Sequence, residues 1–373
     1  MDTQPACEAK LRPHQVAPGL PLAAMTGIIA TVTVYAVAQG LTYPLLSFIL
    51  ERQGTRPALI GLSAAMTQLG FILSAPFIPA LARRVGEARL AVLCPLLAAL
   101  TLIAIGWTQD VLAWMPLRFL LGVFINPLYV VSETWLVSIT PAASRGRILG
   151  LYSSIVSAGF ALGPLSLWLV GTQGWAPFAI GVAAFLACGL IVLAVVPRLP
   201  EMPRKGEETS VGGFFMIAPL LLFAVFTAAA FEQTVLSLFA VYGAALQGNE
   251  QRTAALIGCF VAGNAVLQIV LGRVAERLGS GRTLTFCALA SLAGCMLLPA
   301  AFDEWFIWPL TFAWGGVSFG IYTLSLIQLG ERFSGPALIA GNAAFAVVWG
   351  IGGMMGSPAT VSRCSWWGIR GCP

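Results

Sequence analysis

Eleven stretches of this chain, at 20–46, 58–81, 89–107, 112–138, 147–170, 175–196, 213–245, 253–275, 283–301, 305–329 and 337–357, are almost wholly apolar. Each is long enough, as an α-helix, to cross a hydrocarbon core of about 30 Å. Lipid offers no partner to backbone N–H and C=O groups, so a spanning segment must satisfy them itself. The sequence therefore predicts an all-α polytopic membrane protein. Composition agrees: only 9% of the 373 residues are charged, against about 25% in soluble domains. The first run is too long for a signal h-region and no small-residue cleavage site follows it, so 1–19 is expected to be a retained tail.

Charge is distributed by loop. With the N-terminus inside, the inner segments hold Lys10, Arg12, Arg83, Arg84, Arg89, Arg145, Arg147, Arg198, Arg204, Lys205, Arg273, Arg277, Arg282 and Arg332, and the outer loops only Arg52, Arg56 and Arg252. This is the positive-inside pattern, and it predicts a multi-pass protein of the cell inner membrane with a cytoplasmic N-terminus. The net charge of +5 is then topological and gives no reason to expect a nucleic-acid partner. The lone His14 and the scattered cysteines form no ligand spacing, so neither a metal nor another cofactor is expected.

The longest polar interval, RLPEMPRKGEETSVGG at 198–213, separates six runs from five. Placing PALARRVGEARL (79–90) over GRVAERLGSGRT (272–283) matches Ala82 with Ala275, Arg84 with Arg277, Gly86 with Gly279 and Arg89 with Arg282 at one offset. Both segments join the second and third runs of their half. Parallel repeats of this kind build transporters whose site lies between the halves at mid-membrane. The expected units are a tail (1–19), a six-helix bundle (20–197), a linker (198–212), a five-helix bundle (213–358) and an atypical polar tail (359–373).

These features resemble the major facilitator superfamily over about 21–358. Its loop motif G-x-L-A-D-R-x-G-R-R/K is echoed by PALARRVGEAR and GRVAERLGSGR. Its fourth-span R-x-x-x-G is echoed by Arg118 and Gly122, and its fifth-span antiporter pattern G-x-x-x-G-P by Gly159, Gly163 and Pro164. The SETWL and RGRILGLY segments are similar to the YcaD-like group of bacterial permeases. The resemblance implies two pseudo-symmetric bundles and gating roles for Arg83, Arg84, Gly86, Arg89, Gly272, Glu276, Arg277, Gly279 and Arg282. The first loop departs from the motif, with Pro79 and Arg83 where the family has Gly and Asp. That Asp helps latch the halves together, and here only Glu276, in the second copy, offers an acid. The bland reading of both loops is tight turns with positive-inside anchors.

Ionisable groups within spans are costly and usually face a pathway. Arg118 and Glu133 lie on one run, about 22 Å apart along the axis, so they cannot pair. Arg118 either snorkels outward or serves coupling; Glu133 either pairs with Arg145 or Arg147 at the cytoplasmic mouth or serves coupling. Glu232, in AAAFEQTVLSLF, lies deepest and falls on Gln39 at the repeat offset. A carboxyl there can bind and release a proton as the cavity changes sides, which makes Glu232 the expected proton carrier. Asn126, beside Pro127 at mid-depth, marks a cavity-lining face. Gln39, Gln68, Tyr129, Gln233, Asn264, Gln268 and Tyr322 are the other cavity candidates, with helix-to-helix bonding or packing as their alternative. Gly159, Gly163 and Pro164 suit a helix that packs closely and bends.

The resemblance implies twelve spans where eleven are visible. The ending WWGIRGCP, read one base over, can give VVGHQGLP, so a frameshift near Thr360 that removes the twelfth span is expected. The function expected is secondary transport of a small organic solute by a monomer in the bilayer, proton-coupled and favouring export by alternating access. An uncoupled facilitator or uptake permease and a non-transporting sensor or scaffold are the rivals. With no catalytic pair near an interface, an enzyme is not expected.

Overall fold

The computed structural model describes residues 21–199, 210–245 and 250–366, and no strand occurs among them. Thirteen α-helices follow in order: α1 Pro21–Arg52, α2 Pro57–Ser74, α3 Ile78–Val85, α4 Glu87–Thr108, α5 Val111–Ile139, α6 Arg145–Val170, α7 Ala176–Val195, α8 Val211–Ile217, α9 Pro219–Ala245, α10 Glu250–Leu278, α11 Ser280–Ala301, α12 Ile307–Arg332 and α13 Gly335–Trp366. Among the described residues each of the eleven apolar stretches is mainly helical. Among the described residues nine helices are long and apolar enough to span a membrane, or ten if the bent pair α8 and α9 counts as one. α6 packs between α1 and α10.

Two expected boundaries are corrected. The seventh stretch is not one helix: it breaks at Ala218, and α8 meets α9 at 104°. Ala218 precedes Pro219, and the proline ring disfavours the α conformation in the residue before it; Ala218 accordingly sits at φ −135°, ψ 54°. α8 opens with Ser210, whose Oγ accepts from the Gly213 N–H at 2.9 Å and satisfies one of the free donors of the first turn. α13 runs to Trp366, past the expected stop at 357. The expected tail, linker and loop residues at 1–19, 200–209, 246–249 and 367–373, His14 included, lie outside the described residues.

The packing repeats. α2 lies on α5, α4 on α5 and α1 on α6; in the second half α10 lies on α12, α11 on α12 and α9 on α13. The halves meet through α6 against α10 and α2 against α13, a symmetric pair of seams. The turns carrying the loop motifs repeat too. Gly86 (φ 92°, ψ 138°) and Gly279 (φ 90°, ψ 140°) hold the same positive-φ backbone between helices, a conformation that glycine adopts without Cβ strain. The outer faces expose apolar side chains such as Leu100, Leu190, Phe223 and Met296, as contact with lipid tails requires.

Candidate functional site

Glu133 lies six residues before the end of α5 and is 2% exposed. Its Oε1 accepts from Tyr152 Oη of α6 at 3.1 Å. Tyr322 Oη of α12 lies within hydrogen-bond distance of both carboxylate oxygens, at 3.1 and 3.0 Å. Tyr129, one helical turn before Glu133 and therefore on the same face, lies against Glu133 and Tyr152, and its ring stands 6.1 Å from that of Tyr35. One carboxylate of the first half is thus held by tyrosines from both halves.

Other polar contacts cross the same seam. Ser153 of α6 and Thr323 of α12 share a hydrogen bond of 2.9 Å, Asn264 Nδ2 donates to Ser157 Oγ at 3.0 Å, and Asn342 Nδ2 of α13 donates to Thr134 Oγ1 of α5 at 2.9 Å. Small hydroxyl and amide groups let helices bond across a bundle while staying close. Glu232 lies on α9 beside this cluster, in a narrow cleft that Tyr322 also lines.

Several site expectations are corrected. Glu133 meets neither Arg145 nor Arg147, because its oxygens are taken by tyrosines one layer deeper; Arg145 lies near Glu331 instead. Arg118 does not snorkel outward. It is 1% exposed and donates from Nη1 to Ser63 Oγ at 3.1 Å, while its Nε and Nη2 are buried without a partner. Gly122, one turn on, packs against Gly70 of α2, and a Cβ on Gly122 would fall onto the Thr67 carbonyl. That close crossing draws Arg118 into the seam between α2 and α5. Asn126 is drawn into the same seam, donating to the Phe71 carbonyl at 2.9 Å and Ser74 Oγ at 3.1 Å, with its Oδ1 left without a partner. Gln268, fully buried, donates to Asn264 Oδ1 at 2.9 Å and the Gly316 carbonyl at 3.1 Å; it ties α10 to α12.

Of the remaining candidates, Gln39 is half-buried and donates to Tyr43 Oη at 3.3 Å. Gln68 is half-buried where α2 meets α13 beside Gly350. The side chains of Gln233 and Pro164 lie outside the described residues. Gly159 and Gly163 bring α6 onto α1, against Thr33 and Gly40. Tyr152 is a central residue that sequence reasoning passed over. Its signal was a buried tyrosine seven residues after Arg145 on a serine-rich face.

The loop motifs are asymmetric. Glu276 Oε1 accepts from the backbone N–H of Arg147 at 2.7 Å, capping the start of α6 across the seam, where an anion meets the positive end of the helix. Arg83 holds the matching position in the first half, is exposed, and makes no hydrogen bond or ion pair among the described residues. Arg84, Arg89, Arg277 and Arg282 are exposed as well. Gly272 lies directly against Gly146 of α6. No group of three His, Cys, Asp or Glu that could hold a metal occurs among the described residues.

A buried guanidinium with two free nitrogens carries a desolvation cost that one hydroxyl does not offset. Arg118→Met, similar in reach and without charge, is expected to leave the melting temperature of the purified protein unchanged or raise it. A fall of several degrees would mean that Arg118 holds the fold together.

Comparison with known proteins agrees with this architecture. The sequence model of the Major Facilitator Superfamily matches residues 28–357. The uncharacterized MFS-type transporter YfkF of Bacillus subtilis is 26% identical over 89% of this chain and 86% of its own length. The uncharacterized MFS-type transporter YcaD of Escherichia fergusonii is 24% identical over 75% of this chain and 73% of its own. Among solved structures, the transporter FucP in its outward conformation superposes with a TM-score of 0.73 at 14% identity, covering 92% of each chain. The human organic anion transporter MFSD10 gives 0.71 at 12% identity, covering 94% of each. The proton:xylose symporter XylE gives 0.66 at 16% identity, covering 92% of this chain and 88% of its own. With the family's sequence model spanning most of the chain and its fold shared with solved transporters, the protein belongs to the major facilitator superfamily, whose members are transporters and not enzymes.

Proposed function

We propose that this chain is a proton-coupled secondary transporter that exports a small organic solute across the bacterial inner membrane by alternating access. The observation that carries this reading is the Glu133–Tyr322 contact. A carboxylate accepts hydrogen bonds on both oxygens; once protonated, one oxygen becomes a donor and the pattern must change. Here the partners sit on different halves, so binding or losing a proton alters a bond that joins the moving parts. Two structural relatives support proton coupling: FucP is a fucose:proton symporter and XylE a proton:xylose symporter. The antiporter-like Gly159, Gly163 and Pro164 support exchange over symport. Glu232, beside the same cluster, is a second proton carrier, and α6 with α10 and α2 with α13 are the seams that open and close. The N-terminus lies in the cytoplasm, by the distribution of arginine and lysine, and the protein works as a monomer.

The test uses the purified protein in liposomes that enclose a pH-sensitive dye, challenged with a panel of small solutes. The expected result is proton movement opposite to solute movement, abolished when ionophores collapse the pH gradient and the membrane potential. Solute movement that continues at the same rate after both are collapsed would identify an uncoupled facilitator. Proton and solute moving together would rule out exchange.

A further inference from the structure

The first bundle holds a cavity apart from the Glu133 cluster. Where α1, α4 and α6 end, on the side of the bundle away from the loop motifs, it has an open volume of about 240 Å³, against about 30 Å³ for a water molecule. Arg52 ends α1 and Gln53 follows it, Gln109 follows α4, and Thr172 and Gln173 lie in the turn between α6 and α7; all five line the cavity together with buried Phe178. The walls are tied to one another. Gln53 Nε2 donates to the Gln109 carbonyl at 2.9 Å, Gln109 Nε2 to the Gly106 carbonyl at 3.2 Å, and Arg52 Nη2 to the Thr172 carbonyl. Gln109 stands at φ 40°, ψ 33°, the one positive-φ residue other than glycine among the described residues. Such strained backbone persists where its neighbours hold it.

Charge selects the ligand. Among the described lining residues Arg52 alone is ionisable, and beyond the Thr172 carbonyl its guanidinium has no partner among the described residues. The Gln173 amide makes no hydrogen bond among them either and adds free N–H donors. Asp110, next to Gln109, accepts from the Ala113 N–H at 2.9 Å as the N-cap of α5 and does not line the cavity. A cation would meet repulsion from Arg52, whereas an anion gains from a fork of N–H donors whose geometry matches a phosphate. Position then names the source of the phosphate. Trp107 and Trp175, both exposed, stand edge to face at 6.0 Å, and Trp175 lies 5.9 Å from Phe178 of the cavity lining. Tryptophans at helix ends sit at headgroup level, and the exposed Leu112 and Leu169 nearby require acyl chains. The anion that a bilayer itself presents at this depth is a phosphodiester.

We propose that this cavity binds the headgroup of an outer-leaflet phospholipid, its phosphate on Arg52 and Gln173 and its acyl chains running past the Trp107–Trp175 pair. The leaflet follows from the arginine and lysine distribution; the site itself is independent of proton coupling and of the solute.

The experiment is native mass spectrometry of the full chain, delipidated in detergent and titrated with three probes: dioleoylphosphatidylglycerol, dioleoylglycerol, which has the same chains without the phosphate, and glycerophosphate, which has the phosphate without the chains. The tightest phosphatidylglycerol is expected to bind at least about tenfold more strongly than either of the others, the factor that a charge-assisted hydrogen bond supplies. Arg52→Gln should remove that advantage and Gln173→Leu should reduce it. Arg56→Gln, exposed in the same loop and outside the cavity lining, should leave it unchanged. Equal binding of phosphatidylglycerol and dioleoylglycerol, affinity unchanged in Arg52→Gln, or an equal loss in Arg56→Gln overturns the site. Glycerophosphate binding as tightly as phosphatidylglycerol overturns the lipid as its source and makes it a site for a soluble phosphate. The selectivity of the unaltered chain among the three probes decides this even if a variant fails to fold.

Discussion

Glu133→Gln is expected to reduce solute-dependent proton flux in proteoliposomes to the level of empty liposomes, while the protein still purifies as a monodisperse species. Glutamine keeps the shape of the side chain, and its carbonyl oxygen can still accept from Tyr152 or Tyr322. It cannot bind or release a proton. Hydrogen bonds to a charged group contribute about 1.5–3 kcal/mol each, against about 1 kcal/mol for neutral ones, so the contact between the halves also loses its dependence on protonation. Tyr322→Phe separates the two effects. It removes the cross-half contact and leaves the carboxyl in place, so proton binding should survive while its coupling to solute weakens. Measuring proton and solute flux in both variants gives the test. Coupled flux at the ordinary rate in Glu133→Gln would remove Glu133 from the coupling path and leave Glu232 as the proton carrier.

Much of this architecture was legible because lipid imposes it. Uninterrupted apolar runs have one backbone solution, and the repeat at 79–90 and 272–283 located the two loops whose glycines share one conformation. The break at Ala218 was legible in principle, since Pro219 follows it, but apolar content alone joins 213–245 into one span. What the sequence did not disclose was the destination of polar side chains. Asn126 beside Pro127 reads as a cavity residue, yet the end of α2 supplies partners for its amide in Phe71 and Ser74. Arg118 reads as able to reach water, yet the Gly70–Gly122 crossing encloses it. Glu133 and Tyr322 stand 189 residues apart, and no local periodicity encodes a contact of that range. The offset that placed Gln39 with Glu232 was informative about depth and silent about partners: Gln39 turns to Tyr43, whereas Glu232 Oε2 faces the cleft unpaired.

The second large effect is expected at the seam between α6 and α10, from Gly272→Leu. A Cβ on Gly272 would fall onto the carbonyl of Gly146, and one on Gly146 onto the carbonyl of Gly272, so the backbones touch with no space for a side chain. Overpacking of this kind costs typically about 1–3 kcal/mol, and here two rigid helices would have to move apart to relieve it. Separation would also draw Glu276 from the Arg147 N–H and Asn264 from Ser157. The variant should therefore fold and bind solute yet fail to turn over, with spin labels at the adjoining ends of α6 and α10 reporting a wider distance than in the parent. Glu276→Ala should act in the same direction and more weakly, because it removes the cap on α6 and leaves the glycine contact. An equivalent change at Arg83 should have little effect, since the first-half loop has a cation where the second has its acid. Ordinary turnover in Gly272→Leu, or loss at Arg83→Ala equal to that at Glu276→Ala, would show that closure does not depend on this seam.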